Sequence, residues 1–483
     1  MSVPQTGARP SPPARRESVG RWILVSLPIL FVVLSTPVLV RGAPLADDFA
    51  KCLEPQRIGL LPAFGSSFER LGAIRPAHIL EILVTTEVCQ HLPFGFAIAV
   101  PLALTLLVAM LLRGLLRDMD VPSPWPEIGA ALWLLQPLGT ESALWPAALH
   151  VPLGLTLAVS AVRLHRAGRF GWGTLSAVGA FLSLEQVLLA LPLAVWFVTP
   201  SGRRRRALAA TIPVAVAALV AFLLWPGQDP RLQATLLQRF TSLAEDPAFY
   251  LQFPAVGLGL HSIPLAVMWA VPLGVVILAI GALLGARLGP RILRGAEAGT
   301  DRSFVQAALL ASLGLILLVN VPVVLSVPRQ GSPRLFAPTW LVLSATVAVV
   351  GPRISFKRQA TVGAVAGLLA AGAVLSLALS VDVRLRSAEF TEISSQTLAL
   401  QVQDGEEIAI CGVRRTVVEP APRGAFAVHE FVYDWAAADA LEYYTGRRAT
   451  FVLAGELWER PCPDSASVDR LVSFSELLRG ARK

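Results

Sequence analysis

Long apolar runs dominate this chain and leave few folds open to it. Such runs lie near 22–41, 93–116, 206–225, 264–287, 304–327 and 361–382, and about 20 apolar residues is what a helix needs to cross a bilayer. Weaker or shorter runs near 125–143, 146–163, 171–185, 186–199 and 335–352 bring the expected number of spans to about 11. Hydrocarbon offers no partner to a backbone amide, so segments of this kind fold as helices rather than loops or open sheets. With 54% hydrophobic and 15% charged residues over 483 positions, and a mean hydropathy of +0.62, the chain is too apolar for a soluble enzyme of this length.

The net charge of +8 could point to nucleic acid, but the basic residues sit in short clusters between apolar runs, where they orient helices. No nucleic-acid partner is expected. The segments "ARPSPPARRESVGR", "RGLLRDMD", "RLHRAGR", "SGRRRR", "RLGPRILRGAEAGTDR" and "RISFKR" are rich in arginine, whereas "LGTESALWP" carries no basic residue and 226–262 holds only Arg231 and Arg239. The arginine-rich side is inside. That places the N-terminus in the cytoplasm of a multi-pass protein of the plasma (inner) membrane, and an odd number of spans puts the C-terminus outside. The alternative for residues 1–46 is a cleaved signal peptide, with "RGAPLA" offering small residues near a cut.

Four regions follow. Residues 1–21 are a Pro/Arg/Ser-rich tail expected to be disordered, and 22–382 are the membrane domain, with outside loops at 42–92 and 226–262. Residues 383–483 form a soluble extracytoplasmic domain. In the first loop "IRPAHILEILVTTEV" reads as an amphipathic helix lying at the interface, with Ile79, Ile82 and Leu83 toward lipid and Glu81 and Glu87 between them. In the C-terminal region "EEIAICGV" and "ATFVLAG" read as buried strands and "DWAAADALEYYTG" as a helix stopped by Gly446, which together predict a small α/β domain. The cysteines are Cys52, Cys89, Cys411 and Cys462, all in outside segments, as an oxidising compartment would have it. Pairing Cys52 with Cys89 and Cys411 with Cys462 closes one loop in each element; four unpaired thiols is the alternative.

Charged residues at membrane depth are costly, so those beyond the inside loops carry information. They are Asp47 and Asp48 after the first run, Arg75, Glu141 in "QPLGTESALW", Glu185 in "LSLEQ", and Arg329 and Arg334 in "VPRQGSPRLFAP". All map to the outer side. A carboxylate that accepts a proton from a hydroxyl, beside guanidinium groups matched to phosphate oxygens, suits group transfer from a lipid-linked phosphate.

In order and sidedness these elements resemble the GT-C class of polyprenyl-phosphate-dependent glycosyltransferases over most of 22–352. The resemblance implies an all-α polytopic membrane fold, a polyprenyl-phosphate sugar donor, and a glycan, lipid or protein acceptor on the outer face. It maps the catalytic acid onto Asp47 or Asp48, which would also be the ligands of any divalent cation such as Mg or Mn. Pro137, Glu141 and Trp145 match a His-Pro…Glu…Trp element of the class, with Gln136 in place of its histidine. Glu185 matches an acid that usually follows lysine, here Leu184. Arg334, Phe336 and Pro338 echo an arginine-bearing element, which implies donor-phosphate binding by Arg334, with Arg75 and Arg329 in support. Glu141, Glu185, Trp145 and His150 are then cavity-lining, orienting residues.

Each assignment has a plainer counterpart. Asp47 and Asp48 could cap a helix at the water interface, the arginines could snorkel, and Glu141 and Glu185 could hold two helices together. His91, His150 and His261 lack the spacing of a metal site. Two other functions also fit an outer-facing membrane protein: a lipid-linked saccharide transporter or flippase, and a non-catalytic envelope assembly protein. A transporter would be expected to show polar residues at the midplane and a repeat, neither of which is present in the sequence.

Overall fold

The computed structural model describes residues 13–44, 47–71, 76–134, 140–224, 301–324, 337–353, 381, 384–385, 388–412, 434–454, 461–464 and 467–473. The expected span at 264–287, all of the expected span at 361–382 but residue 381, the loop 226–262, and Arg75, Arg329 and Arg334 lie outside them. The described chain is mostly helical. Its helices are α1 (Pro13–Arg41), α2 (Asp47–Ile58), α3 (Leu60–Leu71), α4 (Pro76–His91), α5 (Gly95–Asp118), α6 (Trp125–Leu134), α7 (Thr140–Leu144), α8 (His150–Arg166), α9 (Phe170–Ser183), α10 (Val187–Val198), α11 (Ser201–Leu224), α12 (Asp301–Val324) and α13 (Ala337–Val350).

Two segments among the described residues, Gly95–Asp118 and Pro146–Arg166, are long and apolar enough to cross a membrane, and Val25–Arg41, Val187–Val198 and Phe304–Asn320 are shorter apolar helices. The expected 11 spans are therefore not reproduced as such. In the run at 125–143 the described residues are those of α6 and the start of α7, and α9 and α10 hold 14 and 12 residues, about 21 and 18 Å of helix against roughly 30 Å of hydrocarbon. The break between α9 and α10 falls where Leu184 turns to extended backbone. Helix α1 begins at Pro13, inside the segment expected to be disordered.

Apolar side chains stand on the outside of these helices as well as within. Ile29, Val33, Val40, Met110, Trp172, Leu175 and Leu317 are all more than half exposed, which in water would be a liability and in lipid is the ordinary state. Inside, Trp133 of α6 donates its ring N–H to the Thr105 carbonyl of α5 at 2.9 Å, and Trp340 of α13 donates to the Leu132 carbonyl at 2.6 Å. These bonds satisfy buried donors while pinning three helices together. Helices α1 and α5 cross at Gly95, where a Cβ would lie 1.7 Å from the Leu39 carbonyl oxygen. Between α5, α8, α10, α12 and α13 an apolar cleft of about 260 Å³ is lined by Leu112, Leu155, Leu191, Phe304 and Leu341.

Arginines near the helix ends tie neighbouring helices together. Arg113 and Arg117 of α5 converge on the buried Glu127 of α6 at 3.0 and 2.7 Å, and Arg163 of α8 meets Asp118 at 2.6 Å.

The C-terminal region is α/β, as its pattern predicts. Strand β1 (Glu407–Cys411) is central in a parallel three-stranded sheet of order β2-β1-β3, with β2 at Thr450–Leu453 and β3 at Arg470–Ser473. Helix α14 (Asp434–Thr445) connects β1 to β2 and ends at Gly446, whose φ of +71° is the left-handed stop expected there. Phe390, Leu398, Ile408, Ile410, Leu441 and Phe451 make its core. This domain sits on α2: Arg57 pairs with Asp439 at 2.9 Å and with Glu442, and Phe49 packs edge-on against Tyr443 and Tyr444.

Candidate functional site

Among the described residues of the segment 42–92 are three short helices, α2, α3 and α4, and α2 carries most of what matters. Asp47 and Asp48 open it, where the free N–H groups and positive end of a helix favour acids. Residues Asp48, Lys51 and Cys52 are spaced i, i+3 and i+4, so they share one face. That face is buried against α4 and the turn that leads into α8. Cys52 bonds to Cys89 of α4, with Cα atoms 5.7 Å apart, and Cys411 bonds to Cys462 across 5.6 Å; both expected pairs are formed. Thr86 of α4 donates to the Lys51 carbonyl at 3.0 Å and ties the same two helices.

Helix α4 departs from the interfacial reading. Glu81 was expected on its wet face, but it is fully buried, while Leu80 is 38% exposed. A buried carboxylate must be paired and hydrogen-bonded, and Glu81 is. Its Oε2 lies 2.7 Å from Lys51 Nζ and 2.5 Å from His78 Nδ1, and its Oε1 lies 2.7 Å from His150 Nδ1. The backbone N–H of His150 donates to the same Oε1 at 2.8 Å. Burial by itself would raise the Glu81 carboxyl, yet His78, Lys51 and His150 outweigh it and hold the group well below the usual carboxylate range.

Asp48 is the second buried carboxylate of this site. Its Oδ1 accepts the Ala147 N–H at 3.0 Å, and its Oδ2 is 3.6 Å from a guanidinium nitrogen of the mostly buried Arg384. The turn Pro146–Ala148 and the first residue of α8 thus aim two backbone N–H groups at two acids from different helices. Asp48, Lys51, His78, Glu81, His150 and Arg384 form one largely buried polar cluster.

The sequence-predicted residues distribute unevenly about it. Asp48 and His150 belong to it, and His150, expected among histidines without metal-site spacing, is one of two imidazoles on one carboxylate. Asp47 begins α2, and its side chain lies outside the described residues, as does that of Glu141 in α7. Trp145 is half-buried immediately before the turn that meets Asp48. Glu185 is half-buried at the break between α9 and α10, whose Leu184 packs on Gly154 one helical turn past His150. Sequence reasoning missed Lys51, His78, Glu81 and Arg384. His78-x-x-Glu81 did carry a signal, since i and i+3 on a helix are neighbours; the approach of His150 from 69 residues away did not.

Comparison with protein-family models, curated proteins and solved structures gives no match to this chain.

Proposed function

We propose that the chain is a multi-pass inner-membrane glycosyltransferase of GT-C type, with its N-terminus in the cytoplasm, about 11 spans, and its α/β domain and buried polar cluster on the outer side. One observation carries the reading. The acid that opens the first outside loop meets the turn that follows Glu141 and Trp145, through the bond of 3.0 Å between Ala147 N–H and Asp48, so two elements of the resemblance distant in sequence are neighbours in space. Both disulfides fall in segments assigned to the outside, in keeping with an oxidising compartment. The apolar cleft beside α10 is of a kind that accepts an alkyl or prenyl chain.

The burial of Asp48 divides the two acids. Asp48 is engaged by Ala147 and Arg384 and holds the start of α2 in place, which leaves Asp47 as the general base. In this reading the Asp47 carboxylate takes the proton of the acceptor hydroxyl, and the acceptor oxygen attacks the anomeric carbon. The bond from that carbon to the phosphate oxygen breaks, with inversion. The polyprenyl phosphate leaves with its charge met by Arg334, aided by Arg75 and Arg329, while Glu141, Glu185 and Trp145 line the acceptor side.

The purified full-length protein, given labelled polyprenyl-phosphate sugars and an acceptor extract, should release lipid phosphate and transfer label. Asp47→Asn should lower the rate by about 10²–10⁴ with unchanged folding. A folded Asp47→Asn/Asp48→Asn variant that transfers at the wild-type rate would overturn the assignment.

A further inference from the structure

We infer that His78, Glu81 and His150 form a binding site for a divalent transition metal of the zinc type. Their ligand atoms all lie within 4.8 Å of one another, and all three residues are buried. Two imidazoles and one carboxylate are the donor set of open zinc centres; an ion that demands oxygen, such as magnesium, is poorly served by it. This site is distinct from a cation on Asp47 and Asp48, and it does not depend on glycosyl transfer.

The geometry needs little change. Metal–ligand distances of about 2.1 Å in a tetrahedron set neighbouring ligand atoms roughly 3.4 Å apart. The two imidazole nitrogens now stand 2.5 and 2.7 Å from the Glu81 oxygens, so an opening of less than about 1 Å sets each imidazole at that spacing from the carboxylate, with all three ligand atoms already within 4.8 Å of one another. The supporting contacts are already in place. His150 N–H fixes one Glu81 oxygen at 2.8 Å, the Cys52–Cys89 bond and the Thr86–Lys51 bond fix α4 against α2, and such outer contacts set the affinity of metal sites.

Lys51 is the built-in competitor. Its ammonium lies 2.7 Å from Glu81 Oε2, and its side chain is 14% exposed, so it can withdraw toward solvent as the ion takes the carboxylate. Either cation can neutralise the acid; two at once would repel. The site therefore has a lysine-held and a metal-held form of the same helix packing.

The test uses the full-length protein in detergent, free of affinity tag and stripped with chelator, and adds Zn²⁺ or Co²⁺ alone. One equivalent of Zn²⁺ should bind with affinity on the order of micromolar or tighter. Co²⁺ should show d–d bands of a nitrogen and oxygen site without thiolate charge transfer, because both cysteine pairs are disulfides. His78→Ala and His150→Ala should each weaken binding by at least about tenfold. Lys51→Met should bind as tightly as wild type or more tightly, which a purely structural salt bridge would not produce. Absence of stoichiometric binding to the wild-type protein, binding unchanged in the histidine variants, or binding lost in Lys51→Met would each overturn the inference. The Co²⁺ spectrum of the wild type decides the matter even if a histidine variant fails to fold.

Discussion

Replacing Glu81 by glutamine tests whether this buried carboxylate holds the outer helices together. The substitution keeps size and shape, removes the charge, and turns one acceptor into a donor that faces Lys51 or an imidazole N–H. At an effective dielectric constant of about 20, two charges 2.7 Å apart, as Lys51 and Glu81 are, attract by about 6 kcal/mol. Desolvation of both ions offsets part of this, and breaking a buried pair by removing one partner costs about 3–5 kcal/mol. The two imidazoles and the His150 amide, all within 2.8 Å of Glu81, place Glu81→Gln toward the upper end. Lys51→Met removes only one of four donors and should cost less. The assay is unfolding of the purified protein by a denaturing detergent with chelator present, followed by tryptophan fluorescence, for both single variants and the double. Less than about 1 kcal/mol for Glu81→Gln, or single effects that add within about 0.5 kcal/mol, would refute the reasoning.

Two further outcomes are expected. Gly95→Ala sets a Cβ 1.7 Å from the Leu39 carbonyl oxygen, a backbone atom that cannot swing aside, so it should cost more than the usual 1–3 kcal/mol or so of an overpacked core. Gly202→Ala, where a Cβ meets nothing within 4 Å, should cost nothing, both variants being compared by gel filtration of the protein that stays soluble after heating. The Cys52–Cys89 bond closes a separation of 37 residues, for which chain entropy gives about 4 kcal/mol. Cys52→Ser/Cys89→Ser should lose stability of that order, and wild-type protein should take up no maleimide until it is both unfolded and reduced.

Much of the secondary structure was legible because it rests on local rules. Apolar length gave α5 and the segment from Pro146 to Arg166, and short apolar runs gave β1 and β2 of the C-terminal sheet. Gly446 marked the end of α14 through a left-handed backbone conformation that glycine adopts without steric cost. The boundary expected between the runs 171–185 and 186–199 falls at Leu184, which packs on Gly154. The arginine clusters were legible in the sequence, but not as the clamps on Glu127 and Asp118 that join α5 to α6 and α8.

The polar cluster marks the limit of sequence reading most clearly. Sequence alone determined that Asp47 and Asp48 follow the first run, that the cysteines pair within two separate elements, and that a small α/β region follows the helices, because composition and spacing decide local conformation. Only the tertiary structure decided that Asp48 is sealed between Ala147 and Arg384, that Glu81 faces inward, and that His78 and His150 share it. The α4 pattern near Glu81 reads as amphipathic about a lipid surface. In the structure the buried face of α4 instead carries His78, Glu81, Thr85 and Thr86, with Lys51 and His150 arriving from elsewhere to compensate the buried charge. Burial of a carboxylate depends on partners that long-range folding supplies, and those partners leave no trace in the spacing of the helix that carries it.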